Sequence, residues 1–544
     1  MNSITDSNKA MNSGISQELY YKIHEQMPIC CVDVLIKTTA NEFMLLKRNT
    51  APAKDKWWLI GGRVRKNEWL EDAAKRKVRE ELGLEIGTFR KIISGNETIF
   101  TEDPFGHGCG THSINTVYVA EITEEQLNQV KLDQFHTGYG LFKTVDPSWH
   151  PYLRECLAEA GFKLMTSNLF IPVCEPTLAG NELSYVTQAV KTGWISSAGE
   201  FINQFERKFA DYCGVEHGVS CSSGTTALHL ALEAVGIGQG DEVITPTFSM
   251  AASTNAIIYA RAKPVFVDSE LDTWNMDVSK IEEKITPKTK AIMVVHTYGH
   301  PVDMDPVNDV ARRHKLVVIE DAAEAHGAEY KGRKAGSLGD IACFSFYANK
   351  IVTSGEGGMV VTNNKHWAER ARKLRNHFFG EPRFLHQEIG YNYRLTNLQA
   401  ALGLAQLERI DELVEARRHN AYLYNHFLKN VVGLTLPPEK KWAKNVYWMY
   451  GILVQERKFG LSMKQLLEEL KKKGIECRTF FIGLHKQPAY GKDEPHFPDW
   501  TECPTAEILE RDGLYLPSSS HLSVEQIEHI TDVIKEVQKN AFRT

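Results

Sequence analysis

FSFYANKIVTSGEGGMVVT, from Phe344 to Thr362, decides how the larger part of this 544-residue chain is read. An apolar strand ends near Ser345. Lys350 follows five residues on, then a turn rich in glycine (Gly355, Gly357, Gly358), then a second strand. A lone lysine after a strand is nearly always solvated. This one has company. Asp321 lies 29 residues before it, in LVVIEDAAEAHG, at the end of another apolar strand. In an open parallel sheet that edge is where ligands bind. Earlier still, SSGTTALHLAL (Ser222 to Leu232) is a small-residue loop feeding a helix. A helix N-terminus offers free N–H groups and a positive dipole end to an anion. Each segment alone has a bland reading: a helix cap, a loop carboxylate, a surface lysine. The three in order are far more specific than any one: a loop that could hold a phosphate, a carboxylate that could keep a ring nitrogen protonated, and a framed lysine.

Around these segments, helical stretches alternate with short apolar runs: DEVITP, KPVFVD, KAIMVVH, LVVIEDA, IACFSF and GMVVT. Continuous runs rich in β-branched residues suit a parallel sheet covered on both faces. After about residue 400 come long helical stretches, then YWMYGILV and SMKQLLEELKKKG, which read as a smaller α+β lobe. Before residue 160 the pattern differs. CCVDVLIK, EFMLLKR and WWLIGG are short strands, and WLEDAAKRKVREELGL is an amphipathic helix with Leu70, Ala73, Ala74, Val78, Leu82 and Leu84 on its apolar side. The fold class is therefore α/β in two parts. Residues 1–20 read as a loose arm, 21–162 as a first domain and 163–170 as a linker. Residues 171–415 read as a large domain and 416–544 as a small C-terminal domain.

Composition fits a globular protein: 42% hydrophobic and 24% charged, with a net charge of -6. No strong pull toward nucleic acid or an anionic membrane follows from that charge. There is no signal-like h-region and no apolar run long enough to span a bilayer. Ten scattered cysteines without a C-x-x-C pair suit a reducing cytoplasm. Cys109, between His107 and His112, could suggest zinc, but with no second cysteine pair a glycine-rich surface loop is the better reading.

Residues 170–540 resemble the DegT/DnrJ/EryC1/StrS family of fold-type I pyridoxal-phosphate (PLP) aminotransferases that act on nucleotide-linked sugars. The resemblance implies PLP as cofactor, with Lys350 as the lysine that bonds to it and Asp321 on the pyridine nitrogen. It gives Glu324 a second ring contact and makes Ser345, Gly224 and Thr225 phosphate ligands. GYNYRLTNLQAALGL (Gly390 to Leu404) matches a segment whose asparagine reaches the neighbouring subunit's cofactor, which implies a homodimer through Asn392. Arg394 matches a residue near the amino donor's carboxylate. TPTFSMAAS puts Met250 where relatives cover the ring with an aromatic side chain. Segments such as GWISSAGEFINQFE, DEVITPTFSMAASTNAI and VHTYGHPVDM are most like members that move an amino group from L-glutamate to C4 of GDP-4-keto-6-deoxymannose, leaving 2-oxoglutarate. Lys350 would then carry the proton between cofactor and substrate carbon. His377, His296 and Tyr298 are candidate sugar contacts. The competing substrate is a UDP- or dTDP-linked keto sugar. A sugar dehydratase on this fold would have histidine in place of Lys350.

Residues 20–160 resemble the Nudix family. The box G-x5-E-x7-R-E-U-x-E-E-x-G-U can be laid from Gly62 through Glu68, Arg76, Glu80, Glu81, Gly83 and Leu84, with Lys77 in place of an acidic residue. RNTAPAKDKWWLIGGRVRKNE is close to the GDP-mannose mannosyl hydrolases in particular. The Nudix box offers Glu80 and Glu81 to Mg2+; the closer likeness implies a Mg2+-dependent GDP-sugar hydrolase with one ion on Glu81 and on the carbonyl of Gly61 or Gly62, His136 as base, and Asp33 and Arg48 near the sugar diphosphate. Phe135 stands where those enzymes have a metal-binding glutamine, with Gln134 beside it. The alternative is a non-catalytic binding module.

Overall fold

The computed structural model describes residues 27–49, 53–100, 111–146, 149–162, 170–490 and 502–542. The N-terminal arm, the linker at 163–169 and the Cys109 loop lie outside the described residues. The chain forms two compact units, divided between Leu169 and Phe170.

The first unit is a seven-stranded mixed sheet. Strand Ile29–Thr38 runs parallel to Thr111–Ile122 and antiparallel to Phe43–Arg48 and Ile60–Arg63. Side chains alternate across a strand, so Val34 and Ile36 face one way and Leu35 the other. Val34 and Ile36 join a core with Ala73, Ala74, Val78 and Leu82 of helix Leu70–Leu82. Leu35 joins a second core with Leu153 and Leu157 of helix Pro151–Glu159. One helix therefore covers each face, which is the α/β/α layering expected of a Nudix domain.

The second unit is built on a sheet ordered Lys263–Val267, Glu242–Pro246, Thr289–Val295, Val317–Asp321, Ile341–Ser345, Gly358–Thr362 and His217–Cys221. Every neighbour pair is parallel except those made by Gly358–Thr362. The strands are buried along nearly their whole length, which explains their unbroken apolar runs. Parallel strands deliver their C-terminal ends to one edge. Cys221, Pro246, Val295, Asp321 and Ser345 all stop there, and the loops that follow carry most of the expected site residues. A second, antiparallel sheet contains Tyr450–Val454 and Gly513–Leu516 and forms the smaller lobe.

Two details depart from the sequence reading. The stretch after residue 397 is two helices, Asn397–Leu407 and Ile410–Leu428, broken at Glu408 and Arg409. The expected boundary at 415/416 falls inside the second of them, because its apolar face (Leu413, Val414, Ala421, Tyr424) stays buried across that point.

The core tolerates little change of volume. Phe205 is fully buried against Phe209 and Phe346, and a Cβ on Gly403 would lie 2.8 Å from its ring. Phe205→Ala should destabilise the second unit by about 3–5 kcal/mol, read as a lower urea midpoint; an unchanged midpoint would show that this core is not close-packed.

Candidate functional site

Lys350 follows the Ile341–Ser345 strand by five residues, and its loop is tied back by the Lys350 N–H donating to the Tyr347 carbonyl at 2.9 Å. Its side chain is only 10% exposed. The Nζ lies 3.8 Å from Glu324 Oε1 and 3.6 Å from the centroid of the Trp448 ring. Burial lowers the Lys350 pKa in spite of Glu324 and Asp321 nearby. Burial likewise raises Glu324 to about 7 and raises Asp321. Desolvation thus outweighs Coulomb attraction here and moves the amine and both carboxylates toward their neutral forms.

The carboxylates are held, not loose. Ser253 Oγ donates to Asp321 Oδ2 at 2.7 Å, and the Ala323 N–H donates to Oδ1 at 3.2 Å. The Tyr298 N–H donates to Glu324 Oε2 at 2.8 Å. Trp448 is fixed in turn, because its Nε1 donates to the Asn349 carbonyl at 2.9 Å.

The phosphate-like end is equally tight. Helix Gly224–Ala234 starts beside Ser345 and is capped by a reciprocal Ser223–Thr226 pair. A Cβ on Gly224 would lie 2.6 Å from Ser345 Cβ, and one on Gly358 would lie 2.2 Å from the Ser223 carbonyl. Only glycine allows this cradle of backbone around a helix N-terminus. A lysine with a lowered pKa, a buried aspartate at the same sheet edge and this cradle fit PLP. Lys350, Asp321, Glu324, Ser345, Gly224 and Thr225 are the residues that would hold it.

Other expected residues sit elsewhere. His296 is fully buried with both ring nitrogens engaged: Nδ1 accepts from the Val302 N–H at 3.1 Å, and Nε2 lies 3.0 Å from Glu320 Oε2. That corrects its expected sugar contact, since no nitrogen is left to make one. Tyr298 contributes its backbone N–H to Glu324, while its ring stacks on Phe481 and Trp448. Met250 caps the helix Ala251–Tyr259 and is 58% exposed. Arg394 donates to Asn376 Oδ1 at 2.7 Å and lines a cavity of about 90 Å3 with Ser197, Ser220, Arg372 and Arg375. His377 has a left-handed backbone (φ 55°), and Asn392 is exposed and bridged to Asn376. Sequence reading missed Ser253 and Trp448. Ser253 lies in the TPTFSMAAS segment already singled out, so its position was available. Trp448 sits in an apolar run after the sheet has ended, and nothing in its spacing marks it.

In the first unit, His136 Nδ1 lies 2.7 Å from Asp133 Oδ1, and Nε2 lies 3.8 Å from Glu81 Oε2. Asp33 is buried, accepts from the Tyr152 hydroxyl and is raised to about 6 by burial. A Cβ on Gly61 would lie 2.0 Å from Asp33 Oδ1. Arg48 is lowered by burial, and its Nε is buried without a hydrogen-bond partner. Gln134 is exposed. Glu81 is buried and Glu80 is 39% exposed, and both are paired. Lys77 Nζ lies 3.2 Å from Glu80 Oε2 and 3.1 Å from Glu81 Oε1. Arg76 and Arg65 also bind Glu80, at 3.1 and 3.2 Å. Among the described residues, no cluster of three or more His, Cys, Asp or Glu side chains is arranged to hold a metal ion. Of the expected Mg2+ donors Gly61, Gly62, Glu80 and Glu81, the two carboxylates are thus paired with an ammonium in this structure.

The raised Glu324 carboxyl has a consequence for pH. The native state holds its proton more tightly than the unfolded chain, so its stabilising contribution is full below about pH 4.5 and is lost as pH rises through about 7. Thermal melting of the apoprotein across that window should fall more steeply for the wild type than for Glu324→Gln. Equal slopes would mean that the carboxyl is charged throughout.

Comparison with known proteins gives the chain its place. The DegT/DnrJ/EryC1/StrS aminotransferase family matches residues 176–535, and the NUDIX domain matches residues 29–153. A GDP-perosamine synthase of Caulobacter vibrioides is 47% identical over 371 residues, covering 68% of this chain and 98% of that protein. A GDP-perosamine synthase of Escherichia coli O157:H7 is 45% identical over 372 residues, covering 68% and 98%. Among solved structures, the aminotransferase TlmJ from Streptoalloteichus hindustanus is 31% identical with a TM-score of 0.64, covering 69% of this chain and all of that one. DesI, solved in the presence of its TDP-sugar product, is 30% identical with a TM-score of 0.64, covering 70% and 96%. The chain belongs to the DegT/DnrJ/EryC1/StrS family of PLP aminotransferases and carries a Nudix domain at its N-terminal end.

Proposed function

We propose that the second unit transfers an amino group from L-glutamate to C4 of GDP-4-keto-6-deoxymannose, giving GDP-perosamine and 2-oxoglutarate. The observation that carries this is the 47% identity to a GDP-perosamine synthase over 98% of that protein's length. The buried Lys350–Glu324–Asp321 group supports it, because a transaminase needs these types of residue.

Bound PLP supplies an electron sink that stabilises charge at the carbon carrying the amino group. The protein's own groups do the rest. Lys350 Nζ, lowered in pKa by burial, is a nucleophile and then a base that moves a proton at the reacting carbon. Glu324 Oε1, 3.8 Å away, stabilises that nitrogen when it is protonated. Asp321, fixed by Ser253 and by the Ala323 N–H, would offer its oriented carboxyl group to the ring nitrogen. The Gly224 helix start and Ser345 would hold the phosphate. A homodimer in which Asn392 reaches the other subunit's cofactor agrees with the exposed apolar surface at Leu183, Val190 and Trp194. The described cysteines are all free, and no described helix is long and apolar enough to cross a membrane; both suit the cytoplasm. For the first unit the pairing of Lys77 with Glu80 and Glu81 favours a binding module over metal-dependent GDP-sugar hydrolysis.

The test is to incubate the protein with PLP, L-glutamate and GDP-4-keto-6-deoxymannose and resolve nucleotide products by mass. A GDP-amino sugar is expected, with the rate falling at least about 10²–10⁴-fold in Lys350→Ala. Conversion of a UDP- or dTDP-linked keto sugar instead would overturn the GDP assignment.

A further inference from the structure

Helix Leu70–Leu82 turns Ala73, Ala74, Lys77, Val78, Glu81 and Leu82 toward the interior of the first unit. Lys77 is the anomaly in that row. Its side chain is 9% exposed, and its ammonium lies between Glu80 and Glu81 at 3.2 and 3.1 Å. Its stem runs along the backbone at Gly62, where a Cβ would lie 2.5 Å from Lys77 Cε. These are the two carboxylates and one of the glycines that the Nudix resemblance offers to a divalent cation.

Mg2+ asks for about six oxygens at roughly 2.0–2.1 Å in octahedral array. An ion bound to Glu81 Oε1 and Glu80 Oε2 would share both oxygens with the Lys77 ammonium, which already lies 3.1 and 3.2 Å from them. It would also meet an ammonium and the Arg65 and Arg76 guanidiniums, all bound to Glu80. Glu81 is further engaged by the Gly61 N–H at 3.4 Å.

We infer that the Lys77 ammonium is a built-in replacement for the divalent cation of the Nudix domain, so that this unit neither needs nor admits Mg2+ at Glu80 and Glu81. An ammonium has three N–H donors, and two of them face these carboxylates. The site therefore offers a fixed single charge where its relatives offer an exchangeable double one. The inference concerns the first unit alone and stands whether or not the aminotransferase substrate is GDP-linked.

The full-length protein with PLP bound is titrated with Mn2+, the free ion being followed by electron paramagnetic resonance. The wild type should take up no ion that Glu81→Gln removes. Lys77→Ala and the near-isosteric Lys77→Met should each gain one Mn2+ per chain, lost again when Glu81→Gln is added. Millimolar Mg2+ should leave the wild-type melting temperature of the first unit unchanged. The inference is overturned by Mn2+ uptake in the wild type that Glu81→Gln abolishes, by a rise in that melting temperature with Mg2+, or by neutral variants that fold, by circular dichroism, yet gain no ion.

Discussion

The site in the second unit depends on strand direction. Parallel strands end together, so five separate loops arrive at one edge without any of them being long. Val295 pairs with Asp321, Asp321 with Cys343 and Ser345 with Gly358, and Gly358 pairs in turn with Cys221. A shift of one residue in any of these pairings would turn the site residue to the other face of the sheet. Burial on both faces prevents that shift, because it would also expose an apolar run.

That same burial sets the chemistry. The loop residues sit where the sheet's covering elements close over its edge, and water is scarce. Lys350 and Glu324 face each other at 3.8 Å, a separation at which attraction does not recover the desolvation of both. The outcome is an amine and a carboxyl both displaced toward their neutral forms. A buried lysine whose charged form is destabilised spends more of its time unprotonated, the state in which an amine reacts.

Much of this was legible in the sequence, and the limits are physical. The unbroken apolar runs and the Lys350, Asp321 and Gly224 segments are local signals, and local signals survive translation into a string of letters. His296 shows where that ends. Its place after KAIMVV at a sheet edge made it resemble a pocket residue, but the Val302 N–H and Glu320 claim its two nitrogens. Trp448 shows the converse. It reaches Lys350 from 98 positions later in the chain, and no periodicity encodes a contact of that kind. Lys77 was visible as a departure from the Nudix box. Its spacing, four residues after Ala73 and four before Glu81, already places it on the inward row. What the sequence lacks is the direction of a flexible four-carbon stem, which the backbone at Gly62 decides.

Lys350 and Lys77 are the same side chain under two conditions, and the comparison isolates the cause of their difference. Both are nearly enclosed, at 10% and 9% exposure. Burial pulls on both in the same direction. Lys350 has Glu324 at 3.8 Å and Asp321 farther off, and its pKa falls. For Lys77, burial is again the largest influence, but Glu81 and Glu80 at 3.1 and 3.2 Å together exceed it, and its pKa rises. Attraction grows as distance shrinks and as partners are added, while the penalty for burial is paid once. Carboxylates at 3.8 Å and beyond leave burial the stronger influence; two at 3.1 and 3.2 Å outweigh it.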